Sequence, residues 1–389
     1  MQITKSERPH IAFFGCTNAG KSSLVNSIVN QNLSLVSEIK GTTTDPVIKS
    51  MEILPLGPVV IIDTAGIDDN GKLGELRVKK TKQILDKIDI AILVIDSTIG
   101  ITEFDKNIIS EFKERKIQYF IVFNKIDMLP PEFITMNKNN LLVSSLTGYG
   151  IQELKEKIGS ALLENRTEKY IIKDKLNPND IIIMVIPIDE SAPKGRIILP
   201  QQNTLREILD ANSIAICCQP KELSTILNSI TPKLIITDSQ AFNEIKDIVP
   251  KNIILTSFSI LMANYKGELE VLIKGAEKIS ELKDNDKILI SEGCTHHRQC
   301  NDIGSVKLPN WIKKYSGKNL SFEFSQGGEF PEDLTKYSLI VHCGGCMLNA
   351  TEMKSHIKKA IEQNIPIVNY GMAIAKMNGI LERSLEIFK

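Results

Sequence analysis

Gly15-Cys16-Thr17-Asn18-Ala19-Gly20-Lys21-Ser22 is a GxxxxGKS loop set between an apolar run, Ile11-Ala12-Phe13-Phe14, and a helix-forming stretch. A strand that ends in a glycine-rich turn and opens a helix aims successive backbone N–H groups and the positive helix end at one spot. That spot binds phosphate. The binding set predicted here is Gly15, Asn18, Ala19, Gly20, Lys21, Ser22 and Ser23. Lys21 would reach the β- and γ-phosphates, and the Ser22 hydroxyl would ligate Mg²⁺.

Three further motifs follow in order, each after an apolar strand. Ile61-Ile62-Asp63-Thr64-Ala65-Gly66 offers Asp63 to the Mg²⁺ shell and the Gly66 N–H to a γ-phosphate. Tyr119 to Phe123 leads into Asn124-Lys125-Ile126-Asp127. The Asp127 carboxylate only accepts, so it matches the N1–H and amino group of guanine and leaves adenine unpaired. Ser144, Ser145 and Leu146, after Leu141-Leu142-Val143, supply backbone over the base edge. The ligand is therefore expected to be GTP or GDP with Mg²⁺.

The residue after Gly66 is Ile67, so the glutamine that orients the attacking water in Ras-type enzymes is missing. Asn18 and the stretch Gly41-Thr42-Thr43-Thr44-Asp45 resemble the pattern of potassium-activated GTPases of the Era-like and tRNA-modification group. The resemblance implies a K⁺ held by Asn18 in the place of an arginine finger. It also implies Thr43 as the second Mg²⁺ hydroxyl, with Thr42 and Thr44 as its neighbours. Lys21, Thr43, Asp63 and Gly66 form the expected catalytic set, and the activity is K⁺-stimulated GTP hydrolysis.

A second chemical signal sits in the last third of the chain. Asp286 to Ser291 reads as a strand running into Glu292-Gly293-Cys294-Thr295-His296-His297, and Ser338 to Val341 runs into His342-Cys343-Gly344-Gly345-Cys346. Both clusters fall at strand ends of a parallel sheet and can meet at its carboxyl edge. Three thiolates and an imidazole suit zinc or an iron–sulfur cluster, and the residue types leave both open.

These sites need a scaffold, and 389 residues are too many for one nucleotide-binding domain. The expected class is α/β in three domains: an N-terminal P-loop GTPase unit with a mostly parallel sheet over 1–168, then two smaller parallel α/β layers over 176–263 and 264–389. The polar stretch Glu164 to Asp180 reads as a linker, and Cys217 and Cys218, in the apolar run Ser213 to Cys218, read as core thiols. Basic and acidic residues balance at 47 each, which argues against a nucleic-acid partner. No apolar run reaches the ~18 residues of a membrane span, and the N-terminal residues lack a signal-peptide core, so no membrane and a cytoplasmic location are expected. Seven cysteines in such a chain read as thiols and metal ligands.

Asn18 in the phosphate loop, Ala192-Pro193-Lys194-Gly195-Arg196-Ile197-Ile198-Leu199-Pro200-Gln201 in the middle, and Cys294-x-His296 with His342-Cys343-x-x-Cys346 at the end together resemble the HydF family, the GTPase maturation factors of iron–iron hydrogenases. The resemblance covers essentially the whole chain. It implies a homodimer held through the middle domain and a 4Fe–4S cluster on Cys294, Cys343 and Cys346. It also implies a scaffold role, in which two radical-SAM maturases assemble a diiron precursor for the hydrogenase apoprotein. His296 is the first candidate for a fourth, labile ligand; His297, His342, Glu292 and Asp302 are alternatives, and the role of Cys300 stays open. The competing expectation is an Era-like ribosome- or tRNA-associated GTPase with a structural zinc domain.

Overall fold

The computed structural model describes residues 5–30, 46–53, 57–64, 80–130, 132, 140–164, 169–188, 197–293, 302–327, 329–345 and 348–389. The chain divides into two compact units, Met1–Thr167 and Glu168–Lys389.

The first unit is built on β1 (His10–Phe14), β2 (Val47–Ile53), β3 (Gly57–Asp63), β4 (Ile90–Asp96), β5 (Gln118–Asn124) and β6 (Leu141–Leu142). Their order is β2-β3-β1-β4-β5-β6; β2 runs antiparallel to β3 and all other pairs are parallel. Alternate residues of β1 and β4 enter different cores. Ile11, Phe13, Ile90, Ile92 and Val94 join one, and Ala12, Phe14, Ala91, Leu93 and Ile95 the other. Both faces are therefore covered, which is why these strands read as unbroken apolar runs rather than alternating ones. The helix Lys21–Asn30 closes one face with Leu24, Val25, Ile28 and Val29, a single stripe at helical spacing.

The second unit carries two four-stranded parallel sheets. One contains β7 (Ile181–Val185), β8 (Ile214–Cys218), β9 (Leu234–Thr237) and β10 (Ile254–Ser257) in the order β10-β9-β7-β8. The other contains β11 (Lys287–Glu292), β12 (Ser321–Gln326), β13 (Leu339–His342) and β14 (Ile367–Asn369) in the order β12-β11-β13-β14. Ile183, Val185 and Ile235 of the first sheet share one continuous core with Ile288, Leu289, Ile290 and Val341 of the second, and this binds the two layers into one unit.

Two sequence expectations change here. Within the stretch read as a linker, Ile171 and Ile172 are buried in the core beside Ile182 and Met184, and the backbone N–H groups of Ile171, Ile172 and Lys173 donate to the Glu207 carboxylate at 2.9–3.0 Å. The chain there is paired rather than solvated, because the carboxylate satisfies backbone that lies outside any ladder. Cys217 is exposed and Cys218 half-buried, since β8 is an edge strand without the double cover its apolar composition suggests.

Candidate functional site

The phosphate loop leaves β1 where the strand order reverses, between β3 and β4. Open α/β sheets bind ligands at such points, outside the carboxyl ends of their strands. Buried Lys21 folds back over the loop, its Nζ donating to the carbonyls of Gly15 at 2.9 Å and Cys16 at 2.8 Å. Asn18 is exposed and left-handed, with φ 63°, a conformation asparagine accepts more readily than most residues. Gly20 has φ 90°, and a Cβ there would stand 2.3 Å from Asn124 Nδ2, so only glycine lets the end of β5 close on the loop. Ala19 is buried, while Ser22 and Ser23 are exposed at the helix start.

Asp63 ends β3 beside this loop. It is 9% exposed, and its Oδ1 has no hydrogen-bond partner among the described residues. Burial pushes its carboxyl pKa up, while a hydrogen bond from Ser22 and the charges of Lys21 and Lys49 pull it down. A buried carboxylate oxygen without a donor, next to a serine hydroxyl, suits a hard cation such as Mg²⁺. Thr43 with the rest of Gly41 to Asp45, Gly66 and Ile67 lie outside the described residues.

At the base end, fully buried Asn124 donates to the Ala19 carbonyl at 3.1 Å and accepts the Ser145 N–H at 3.1 Å. Lys125 is left-handed, φ 66°, and pairs with Asp96 at 2.5 Å. The Ser144 hydroxyl donates to Asp127 Oδ1 and its oxygen accepts the Thr147 N–H at 3.1 Å. Exposed Asp127 is thus held from behind with acceptor positions open. Leu146 is exposed at the tip of the same loop.

In the second unit, β11 and β13 are parallel neighbours, with Ser291 opposite His342, and β12 lies on the far side of β11. The strands that lead into the two cysteine motifs therefore flank another reversal of strand order. Cys343 is the first residue past β13. The Gly293 and Gly345 N–H groups donate to its Sγ at 3.0 and 3.4 Å. Burial pushes the thiol pKa up, the two N–H bonds pull it down, Glu292 pushes it up and Lys266 pulls it down. Of the two glycines in the loop, only Gly345 is left-handed, φ 62°.

Both ring nitrogens of His342 are engaged. Its Nδ1 donates to the Cys343 carbonyl at 2.9 Å, because a carbonyl can only accept; Nε2 then accepts from His356 Nδ1 at 3.0 Å. The His356 ring stacks on Phe330 with centroids 4.1 Å apart. Burial lowers the pKa of both histidines; repulsion from Lys359, and from His342 whenever that ring is protonated, helps push His356 down to about 2. Of the other fourth-ligand candidates, Glu292 accepts from Tyr370 at 3.3 Å and Gln326 at 3.5 Å. Asp302 accepts from the Ser305 N–H and hydroxyl, both at 2.8 Å. Cys294, His296, His297, Cys300 and Cys346 lie outside the described residues, among which no metal-binding group of three or more is found.

Family models match three successive segments. Residues 10–125 match a 50S ribosome-binding GTPase domain, 171–267 a hydrogen maturase F dimerization domain, and 270–387 a hydrogen maturase F tetramerization domain. The chain belongs to the HydF (hydrogen maturase F) family. Its GTPase part is similar to GTPase Der of Kosmotoga olearia, 38% identical over 42% of this chain and 43% of that protein. It is also similar to tRNA modification GTPase MnmE of Aquifex aeolicus, 36% identical over 41% of this chain and 37% of that protein. This HydF chain thus matches less than half the length of either curated relative.

Within the HydF chain, the dimerization segment is the β7–β10 layer and the tetramerization segment is the β11–β14 layer that carries Cys343. Two backbone N–H groups aimed at one sulfur are a donor set that suits an iron–sulfur thiolate, whose clusters are tuned by such bonds. His356, Tyr370 and Lys266 carry no spacing signal in the sequence; from other helices they bond His342, Glu292 and the Gly345 carbonyl respectively.

Proposed function

We propose that this chain is a GTP-hydrolysing maturation scaffold for an iron–iron hydrogenase, carrying a 4Fe–4S cluster and a diiron precursor. The unpartnered Asp63 Oδ1 beside Ser22 and Lys21 carries the nucleotide half of this reading, since a buried carboxylate of that kind calls for a cation. Lys21 would bind the β- and γ-phosphates, Ser22, Thr43 and Asp63 would hold Mg²⁺, and Asn18 would hold K⁺. Bound cations neutralise the charge that develops on the phosphates during hydrolysis. Gly66 would follow the γ-phosphate through its N–H.

Cys294, Cys343 and Cys346 would hold the cluster, supported by the two N–H bonds to Cys343 and the family models. A cluster on three protein thiolates supplies one iron with an exchangeable position. His342 has both ring nitrogens bonded elsewhere, which favours His296, His297 or a non-histidine group as the fourth ligand. The implied partners are two radical-SAM maturases and the hydrogenase apoprotein. Self-association is supported by the dimerization model and by the β8 edge, which pairs with no further strand among the described residues and exposes Ile214. The opposite edge, β10, is covered by the helix Leu381–Ser384, where the Thr256 hydroxyl donates to the Ser384 carbonyl at 2.8 Å. No helix among the described residues is long and apolar enough to cross a membrane.

Anaerobic reconstitution followed by metal analysis and a visible spectrum tests the reading. Iron with sulfide and broad thiolate-to-iron absorption is the expected outcome; colourless stoichiometric zinc would favour a ribosome- or tRNA-associated GTPase with a structural zinc domain.

A further inference from the structure

Lys266 is the last residue of the helix Phe258–Lys266, within the segment matched as the dimerization domain, yet its ammonium sits in the neighbouring layer. The side chain is 2% exposed, and Nζ donates to the Gly345 carbonyl at 3.1 Å and the Leu348 carbonyl at 2.9 Å. Those carbonyls bracket Cys346, and Gly345 is also the residue whose N–H points at Cys343 Sγ. One buried cation from the first layer therefore binds the backbone of the second at Gly345 and at Leu348.

Other contacts make the grip a fixed one. Asn369, at the end of β14, donates to the Ser259 carbonyl at 2.9 Å, tying the first turn of the same helix to the β11–β14 sheet. A Cβ on Gly371 would stand 2.7 Å from the Ser259 side chain, so the helix and the segment after β14 are in close contact. The helix is thus anchored at both ends against the layer that holds the cysteines. Burying an ammonium is costly unless hydrogen bonds and negative charge surround it. Two carbonyls supply the bonds, and thiolates binding iron would add negative charge beside it.

We propose that Lys266 is a positioning residue for the cysteine motif: it holds the backbone at Gly345 and Leu348, on either side of Cys346 in the sequence, and places a positive charge next to the bound cluster. This rests on the cluster reading above, but the loop-holding part does not need a cluster. The chemical consequence is a higher reduction potential than the same thiolates would give without the charge, because a nearby cation favours the more negative, reduced state. The structural consequence is that a change at the dimer-forming layer reaches the cysteines through one helix.

The test uses the full chain with Lys266→Met, which keeps the length and removes charge and donors, and Lys266→Arg, which keeps the charge. In the iron-free protein, hydrogen exchange at the Gly345 and Leu348 amides should be ~10-fold faster or more in Lys266→Met, the loss expected for a charge-assisted hydrogen bond. Exchange in β13 and in the nucleotide-binding unit should stay unchanged, which separates a loosened loop from a failed fold. In the reconstituted protein, iron affinity should fall ~10- to 100-fold and the cluster potential should move negative, as when a partner next to a metal ligand is lost. Lys266→Arg should restore the potential at least in part. Unchanged loop exchange in Lys266→Met overturns the positioning role outright, whether or not a cluster binds. Faster exchange in a chain that takes up no iron supports the loop-holding role and counts against the cluster reading. A cluster with wild-type potential in Lys266→Met overturns the charge effect.

Discussion

Asn124 donates to the Ala19 carbonyl at 3.1 Å and so ties the base-reading loop to the phosphate loop through one fully buried amide. Its other end accepts the Ser145 N–H, so a single side chain links the end of β5 to the phosphate loop and to the loop after β6. Asn124→Ala should leave buried groups unpaired at a cost of about 1–3 kcal/mol. Urea unfolding followed alongside nucleotide titration checks this: both stability and affinity should fall. A variant with full stability and weak binding would mean that Asn124 touches ligand rather than organising the loops.

Asp127 is held by the Ser144 hydroxyl, which leaves its open acceptors for the base. Asp127→Asn should lose GTP and gain xanthosine triphosphate, because the amide offers a donor to the carbonyl that replaces the guanine amino group. Ser144→Ala should weaken GTP more mildly without changing base preference. Competition binding with the two nucleotides decides the matter, and unchanged GTP affinity in Asp127→Asn would sink the assignment.

With Ile67 in the glutamine position, hydrolysis should be slow and should rise when K⁺ replaces Na⁺ at constant ionic strength. Asn18→Ala should erase the difference while binding persists. Phosphate release measured in the two salts is sufficient, and equal rates in the wild-type chain would leave Asn18 as a left-handed loop residue.

His342 and His356 are buried neutral, with folded pKa values below the ordinary 6.5. The unfolded chain takes up protons near pH 6.5 while the folded chain does not, so stability should fall as pH drops below that point. The limiting slope is about 1.4 kcal/mol per pH unit for each histidine. His356→Gln should flatten the fall by one histidine's share. Urea midpoints at pH 7 and pH 5 measure it, and identical pH slopes for the two proteins would contradict the buried neutral pair.

Cys343→Ser, Cys294→Ser and Cys346→Ser should each abolish or severely weaken cluster uptake, since hydroxyls are poor ligands for iron that selects thiolates. His296→Ala should keep the cluster and change its paramagnetic spectrum or its response to imidazole. Cys300→Ser should be nearly neutral. Iron content across the set is the measurement, and a requirement for Cys300 equal to that for Cys343 would point to a closed four-thiolate centre.

The phosphate loop, the base-reading tetrad and the strands before them were legible because that chemistry is local. A glycine turn, a lysine and a helix start must be contiguous to cradle phosphate, and buried parallel strands announce themselves as apolar runs. The strands that lead into the two cysteine motifs were legible for the same reason, as each is a buried apolar run. What contiguity cannot carry is which strands lie side by side. β8 proved to be an edge only because β7 pairs with β9 on its other side, and that exposed Cys217 despite its apolar surroundings. Ile171 and Ile172 looked like part of a linker because their partner, Glu207, lies 36 and 35 residues away. Lys266 and His356 are an ordinary surface-type cation and a stray histidine in the sequence. Packing alone brings one to Gly345, 79 residues on, and the other to His342 across a turn and a helix, because buried donors must find acceptors wherever the fold leaves them.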